Sequence, residues 1–95
     1  MKVRPVLVLS PVTGPSAEVL VAYISSVITD EPLAKDVTID PLTPSDRDTR
    51  LKTRSVVRLH KLATIHRTSL PRHLGQLSPD RLAHVRTLLR LWLGL

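Results

Sequence analysis

Residues 4–26 read RPVLVLSPVTGPSAEVLVAYISS, and the order of residue types in this stretch decides the class of fold. Val6-Leu7-Val8-Leu9 is a continuous apolar run that favours extended backbone, the pattern of a buried strand. Pro5 opens it, at a position where a missing N–H costs little. Ser10 to Ala17 is a cluster of Ser, Pro, Thr and Gly, the residue types of turns. Glu18 to Ile24 (EVLVAYI) is a second strand. It leaves through Ser25 and Ser26, and Val27 and Ile28 extend its pattern.

The same reading continues outward. Thr29 to Lys35 is a loop around Pro32. Asp36 to Asp40 (DVTID) alternates and predicts a short, half-exposed strand. Pro41 to Thr53 is polar and Pro-bounded, a long loop with a turn of helix at Ser45–Arg50. Arg54 to Arg67 (RSVVRLHKLATIHR) returns to β character, with Val57 and Leu59 on one face and Arg58 and His60 on the other. The alternation fails at Lys61-Leu62, which predicts a bulge or bend. Ser69 to Arg72 is a turn. Ser78 then suits a helix N-cap, Pro79 the first helical position, and Asp80 the positive end of the helix dipole. Leu82, Val85, Leu88, Leu89, Trp92 and Leu93 form one apolar stripe, with Arg86, Thr87 and Arg90 opposite. Gly94 ends the helix. The expectation is one domain over residues 1–95, mainly β, with four or five short strands and a C-terminal α-helix.

Composition narrows the chemistry. The 95 residues include no Cys, which excludes a disulfide scaffold and any thiolate nucleophile or metal ligand, and suits the reducing cytoplasm. No apolar run approaches the roughly 18 residues of a membrane span. Val6–Leu9 is too short for the apolar region of a signal peptide. Phe is absent, so Leu, Val and Ile must fill the core, with Tyr23 expected there too and Trp92 on the helix stripe. The net charge is +6. Residues 1–50 carry five Lys or Arg against seven Asp or Glu, and residues 51–95 carry nine against one, Asp80. A basic half points to a polyanion or an acidic partner peptide. Seven of its nine cations are Arg, which suits bidentate contacts to phosphate or carboxylate.

The four His residues, at 60, 66, 73 and 84, lack metal-ligand spacing, and three scattered Gly cannot build a phosphate loop. Ser78-Pro79-Asp80 is a cap and not a nucleophile. Arg4 is held extended by Pro5, at the mouth of a strand. Ser25 and Ser26 end the neighbouring strand. An Arg and a Ser hydroxyl at adjacent strand ends can together hold a phosphodiester.

Lys2–Ser10 (KVRPVLVLS), followed by Val21–Ser26 (VAYISS), resembles the opening motifs of the MazF/PemK family of toxin endoribonucleases. Ser55–Ile65 (SVVRLHKLATI) resembles the family's third motif, and Leu74–Leu95 its C-terminal segment. The resemblance runs through nearly the whole chain in the family's order. It implies a small SH3-like barrel of the MazF/PemK and CcdB-like kind, closed by a C-terminal helix. It implies a homodimer that cleaves single-stranded RNA without metal or other cofactor. The 2′-hydroxyl attacks the adjacent phosphorus, giving a 2′,3′-cyclic phosphate and a 5′-hydroxyl.

By that resemblance Arg4 takes the place of the catalytic Arg, and Ser25 that of the catalytic Thr or Ser. An acidic, partly disordered antitoxin is the implied partner, with the basic half as its landing site. Arg58 and His60, from their strand-face position, and Lys61 beside them are expected RNA contacts. With Tyr23 and Trp92 assigned to the core, His and Arg planes are left to stack on bases. The sequence departs from the family in two places. The strand that usually precedes K-V-R-P is not in these 95 residues, so the barrel is expected to be incomplete at the N-terminus, with an open edge. His60 and Lys61 replace an acidic and an uncharged polar residue of many members, shifting the site towards positive charge. Two other readings remain: a truncated relative that binds RNA or antitoxin without cutting, and a toxin of this fold that blocks a protein such as gyrase. The second ranks lower, because Arg4 and Ser25 match the nuclease branch.

Overall fold

Four strands and one α-helix make up the regular structure in a computed structural model that describes residues 4–26, 36–70 and 72–95. The strands are β1 (Val6–Val8), β2 (Glu18–Ser25), β3 (Val37–Ile39) and β4 (Ser55–His66), and the helix is α1 (Pro79–Leu93). The predicted continuation at Val27 and Ile28, the Thr29–Lys35 loop and Pro71 of the predicted turn lie outside the described residues.

β1 and β2 are joined by the predicted turn. Thr13 and Glu18 exchange backbone hydrogen bonds of 2.8 and 3.0 Å across it. The reversal between them uses positive φ at Gly14 (74°) and at Ala17 (50°). The sheet is antiparallel throughout, in the order β1-β2-β4-β3, so β1 and β3 are its edges among the described residues. The register of β2 on β4 jumps between Ala22, opposite Leu62, and Tyr23, opposite Arg58. Leu59, His60 and Lys61 are the surplus on β4. This is the irregularity predicted at Lys61-Leu62, and it bends the strand so that the sheet curls into a half-barrel. The long loop carries its predicted helical turn, as a 3-10 helix at Pro44–Thr49.

The core follows from strand alternation. Ala22, Ile24, Val37, Ile39, Val57 and Leu59 share one face and pack with Val85 of α1. Leu82, Leu88, Leu89 and Trp92 are half-buried on the predicted stripe, and Arg86, Thr87 and Arg90 are exposed. The helix ends are as expected. The Ser78 hydroxyl oxygen accepts from the Arg81 N–H at 3.3 Å, and Gly94 adopts φ 73° after the last turn.

Three burial expectations are corrected. Val6–Leu9 is an edge strand and not a buried one, with Val8 46% exposed, because among the described residues only β2 flanks β1. Tyr23 is 42% exposed, because it alternates with the buried Ala22 and Ile24 and takes the opposite face. Leu93 is exposed in the last turn of α1.

A buried ion pair, invisible to periodicity, seats the helix. Asp46 has no solvent exposure, and Arg81 grips it bidentately, Nε to Oδ1 at 2.9 Å and Nη2 to Oδ2 at 3.1 Å. Asp46 Oδ2 also accepts the Asp40 N–H at 3.0 Å. Just before α1, Gly75 lies against the same 3-10 helix, and a Cβ there would fall on the Asp48 carbonyl oxygen. The Gln76 N–H donates to that carbonyl at 2.9 Å. Arg81→Met is expected to cost about 3 kcal/mol in urea unfolding, because it leaves Asp46 charged, buried and without its cation. Arg86→Met, on the exposed face, is expected to cost less than about 0.5 kcal/mol. Gly75→Ala should lower the unfolding midpoint as well, since the obstacle is backbone that cannot rotate away; an unchanged midpoint would contradict the close approach.

Candidate active site

The sheet register brings Arg4 and Ser25 together. Val6 pairs with Tyr23, and the Ile24 N–H donates to the Pro5 carbonyl at 3.3 Å. One residue further, the same register sets Arg4 opposite Ser25. Hydrogen bonds at Pro5–Ile24 and Leu9–Leu20 make the odd-numbered β1 positions the hydrogen-bonded sites. Arg4–Ser25 and Val6–Tyr23 are therefore sites of the other kind, where facing side chains stand closest, with Cα atoms about 4.5 Å apart in a regular ladder. Arg4 is exposed and Ser25 half-buried. The site thus offers a cation at its rim beside a hydroxyl on the strand.

The neighbouring row widens this face. Val6, Tyr23 and Arg58 are successive partners across β1, β2 and β4, and Val37–Val57 pairing places Asp36 next to Arg58 at the β3 edge. The Asp36 side chain is only 1% exposed. Its Oδ2 accepts from Arg58 Nη1 at 2.9 Å, and its Oδ1 lies 3.4 Å from His60 Nδ1. The His60 ring, on the bulge, also meets Trp92 of α1, with centroids 5.4 Å apart and planes tilted by 35°. Lys61 is exposed on the same bulge.

The site residues expected from the sequence therefore fall into two groups. Continued two residues before β1, the register sets Arg4 opposite Ser25 of β2. Arg58 and His60 converge on one carboxylate, and Lys61 is exposed beside His60 on the bulge. Arg58 is held close to the sheet, its side chain 14% exposed, whereas the His60 side chain is 27% exposed. Sequence reasoning missed Asp36, which organises the second group. It was read only as the first residue of a short strand, and pairing between β3 and β4 is what gives it two partners. Tyr23 was missed as a surface residue for the reason given above. Among the described residues no three His, Asp or Glu side chains gather as a metal ion would require, and no helix is long and apolar enough to cross a membrane.

The sequence profile of the PemK-like, MazF-like toxins of type II toxin–antitoxin systems matches residues 1–93. The chain belongs to this family. Its fold is similar to that of the Mycobacterium tuberculosis toxin MazF-mt6, with a TM-score of 0.77 and 26% identity over 97% of this chain and 87% of that one. An endoribonuclease from a mycobacterial species superposes with a TM-score of 0.70 and 22% identity, covering 97% of this chain and 81% of that one. A further M. tuberculosis toxin gives 0.67 and 24%, covering 94% and 91%. At such identities the last two speak for the fold alone. No protein of curated function matches the chain. The expected family and the expected mainly β fold with a C-terminal helix are thereby both found.

Trp92 is the only Trp, so its emission reports on the His60 contact. His60→Ala opens one side of the indole to water and is expected to shift the emission maximum to longer wavelength. Lys61→Ala should leave it in place. Equal spectra for wild type and His60→Ala would contradict the ring contact.

Proposed function

We propose that this chain is the endoribonuclease toxin of a type II toxin–antitoxin pair, acting in the cytoplasm on single-stranded RNA without a metal ion. The observation that supports the reading is the β1–β2 register of a MazF/PemK family member, which, continued through the Ile24–Pro5 hydrogen bond, leads from Val6–Tyr23 to Arg4 and Ser25. The 2′-oxygen of one nucleotide attacks its own 3′-phosphorus and loses its proton. The new O2′–P bond forms as the P–O5′ bond breaks, and O5′ takes up a proton. The products are a 2′,3′-cyclic phosphate and a 5′-hydroxyl.

Arg4 provides a fixed cation for the negative charge that grows on the phosphorane, and Ser25 donates a hydrogen bond to a non-bridging oxygen. Both interactions strengthen as charge develops, which makes them catalytic and not merely binding contacts. Lys61 offers a cation and His60 a ring N–H for flanking phosphates, and Asp36 fixes Arg58 in the neighbouring row. The chain acts as a homodimer, and an acidic, partly disordered antitoxin covers the basic surface.

Cleavage of a long single-stranded RNA in EDTA tests this reading. Wild type is expected to give discrete fragments. Ser25→Ala should slow cleavage about 10²- to 10³-fold, the range for removing one such donor, and Arg4→Ala at least as much. Binding should weaken steeply as salt rises, because phosphate contacts release counterions. A folded wild-type chain that cuts no RNA would overturn the nuclease reading in favour of a relative that only binds RNA or antitoxin. Full activity in Arg4→Ala would overturn the residue assignment.

A further inference from the structure

Tyr23 stands out on the face that carries Arg4 and Ser25. Its neighbours in sequence, Ala22 and Ile24, are buried, yet Tyr23 itself is 42% exposed. Across the ladder it lies between Val6 on one side and Arg58 on the other. Val6 gives the ring an apolar flank. Arg58 gives it a cationic one, and Asp36 fixes that guanidinium at 2.9 Å. Tyr23 is two residues from Ser25 along β2, on the same face, which is about 7 Å in a strand. A base attached next to a phosphate held at Arg4 and Ser25 reaches that far.

The chemistry of the spot suits an unpaired nucleobase. A base is a flat π surface carried on a polyanion, and stacking on an exposed aromatic ring is tolerant of base identity. The charge complements it: Arg4 stands one ladder row away by continuation of the register, and Lys61 is exposed on the adjoining bulge. The geometry points to Tyr23 as the stacking platform for the base that flanks the phosphodiester held by Arg4 and Ser25. This rests on the RNA reading above and deepens it, giving the site an aromatic platform where His and Arg planes alone were expected to stack.

The test is binding of a fluorescein-labelled, single-stranded 2′-O-methyl RNA, which cannot be cut, followed by anisotropy. Tyr23→Leu keeps apolar bulk but removes the π face, and it is expected to weaken binding about 5- to 100-fold. Tyr23→Phe keeps the stack and should bind within about two-fold of wild type. Thermal unfolding of each variant checks that the fold is retained, as exposure of Tyr23 predicts. A second measurement needs no variant. An abasic nucleotide walked along the RNA should weaken wild-type binding at one position, and the same change should leave Tyr23→Leu indifferent. Wild-type affinity in Tyr23→Leu, or no such position, would overturn the inference. Tight, Tyr23-dependent binding by a chain that cuts no RNA would sink the nuclease reading and leave the platform standing. No binding at low salt would overturn both.

Discussion

The carboxylate of Asp46 is the point from which the rest of the molecule is held. It is fully buried in a chain with no Phe and a single Trp, and it takes both arms of the Arg81 guanidinium. Removing Arg81 would strand the Asp46 charge in low-dielectric surroundings, which is why such a pair fixes geometry more firmly than its net stability implies. Arg81 lies in the first turn of α1, and Gly75 lets the preceding chain run directly against the 3-10 helix that carries Asp46. With its start fixed, α1 lays Val85 into the core and brings Trp92 to His60. His60 meets Asp36, and Asp36 holds Arg58. A line of contacts therefore runs from the helix start to the sheet face, with Trp92 as its only large aromatic.

The sheet makes the other contribution. Two faces of one antiparallel ladder do separate work. One is lined with Ala22, Ile24, Val37, Ile39, Val57 and Leu59 and packs with α1. The other presents Arg4, Ser25, Tyr23 and Arg58 in adjacent rows, beside Val19, Val21 and Val56, which are buried. Period-two alternation means that the core fixes the register, and a fixed register fixes which polar residues face one another. The proposed pair of Arg4 and Ser25 is thus a consequence of packing on the opposite side. The bulge at Leu59, His60 and Lys61 then turns β4, so that its His60 stands against Trp92 near the helix end.

Much of this was legible in the sequence, and the rest was not for identifiable reasons. Local chemistry announced the helix and both its ends: Ser78, Pro79 and Gly94 act within a turn of their own positions. The bend in β4 was visible because alternation failed there. The strand burial of Val6–Leu9 was misjudged because an apolar run looks the same in an edge strand as in a central one. Tyr23 was assigned to the core on residue type, whereas its place between Ala22 and Ile24 decides the face. Asp36 and Asp46 carried no local signal, since each acquires its role from partners 22 to 35 residues away. Arg4 and Ser25 were suggested by strand-end position and by family resemblance, and the register then set them opposite one another.

One measurement bears most directly on the claim that Arg4 and Ser25 act on a phosphodiester attacked by its own 2′-hydroxyl. A single-stranded RNA containing a wild-type cut site is compared with the same RNA carrying one 2′-deoxy nucleotide on the 5′ side of that cut, both in EDTA. The account predicts cleavage of the first to a 2′,3′-cyclic phosphate and a 5′-hydroxyl, and no cleavage of the second at that position. Cleavage at the deoxy position would mean that water or another group attacks the phosphorus, and would contradict it.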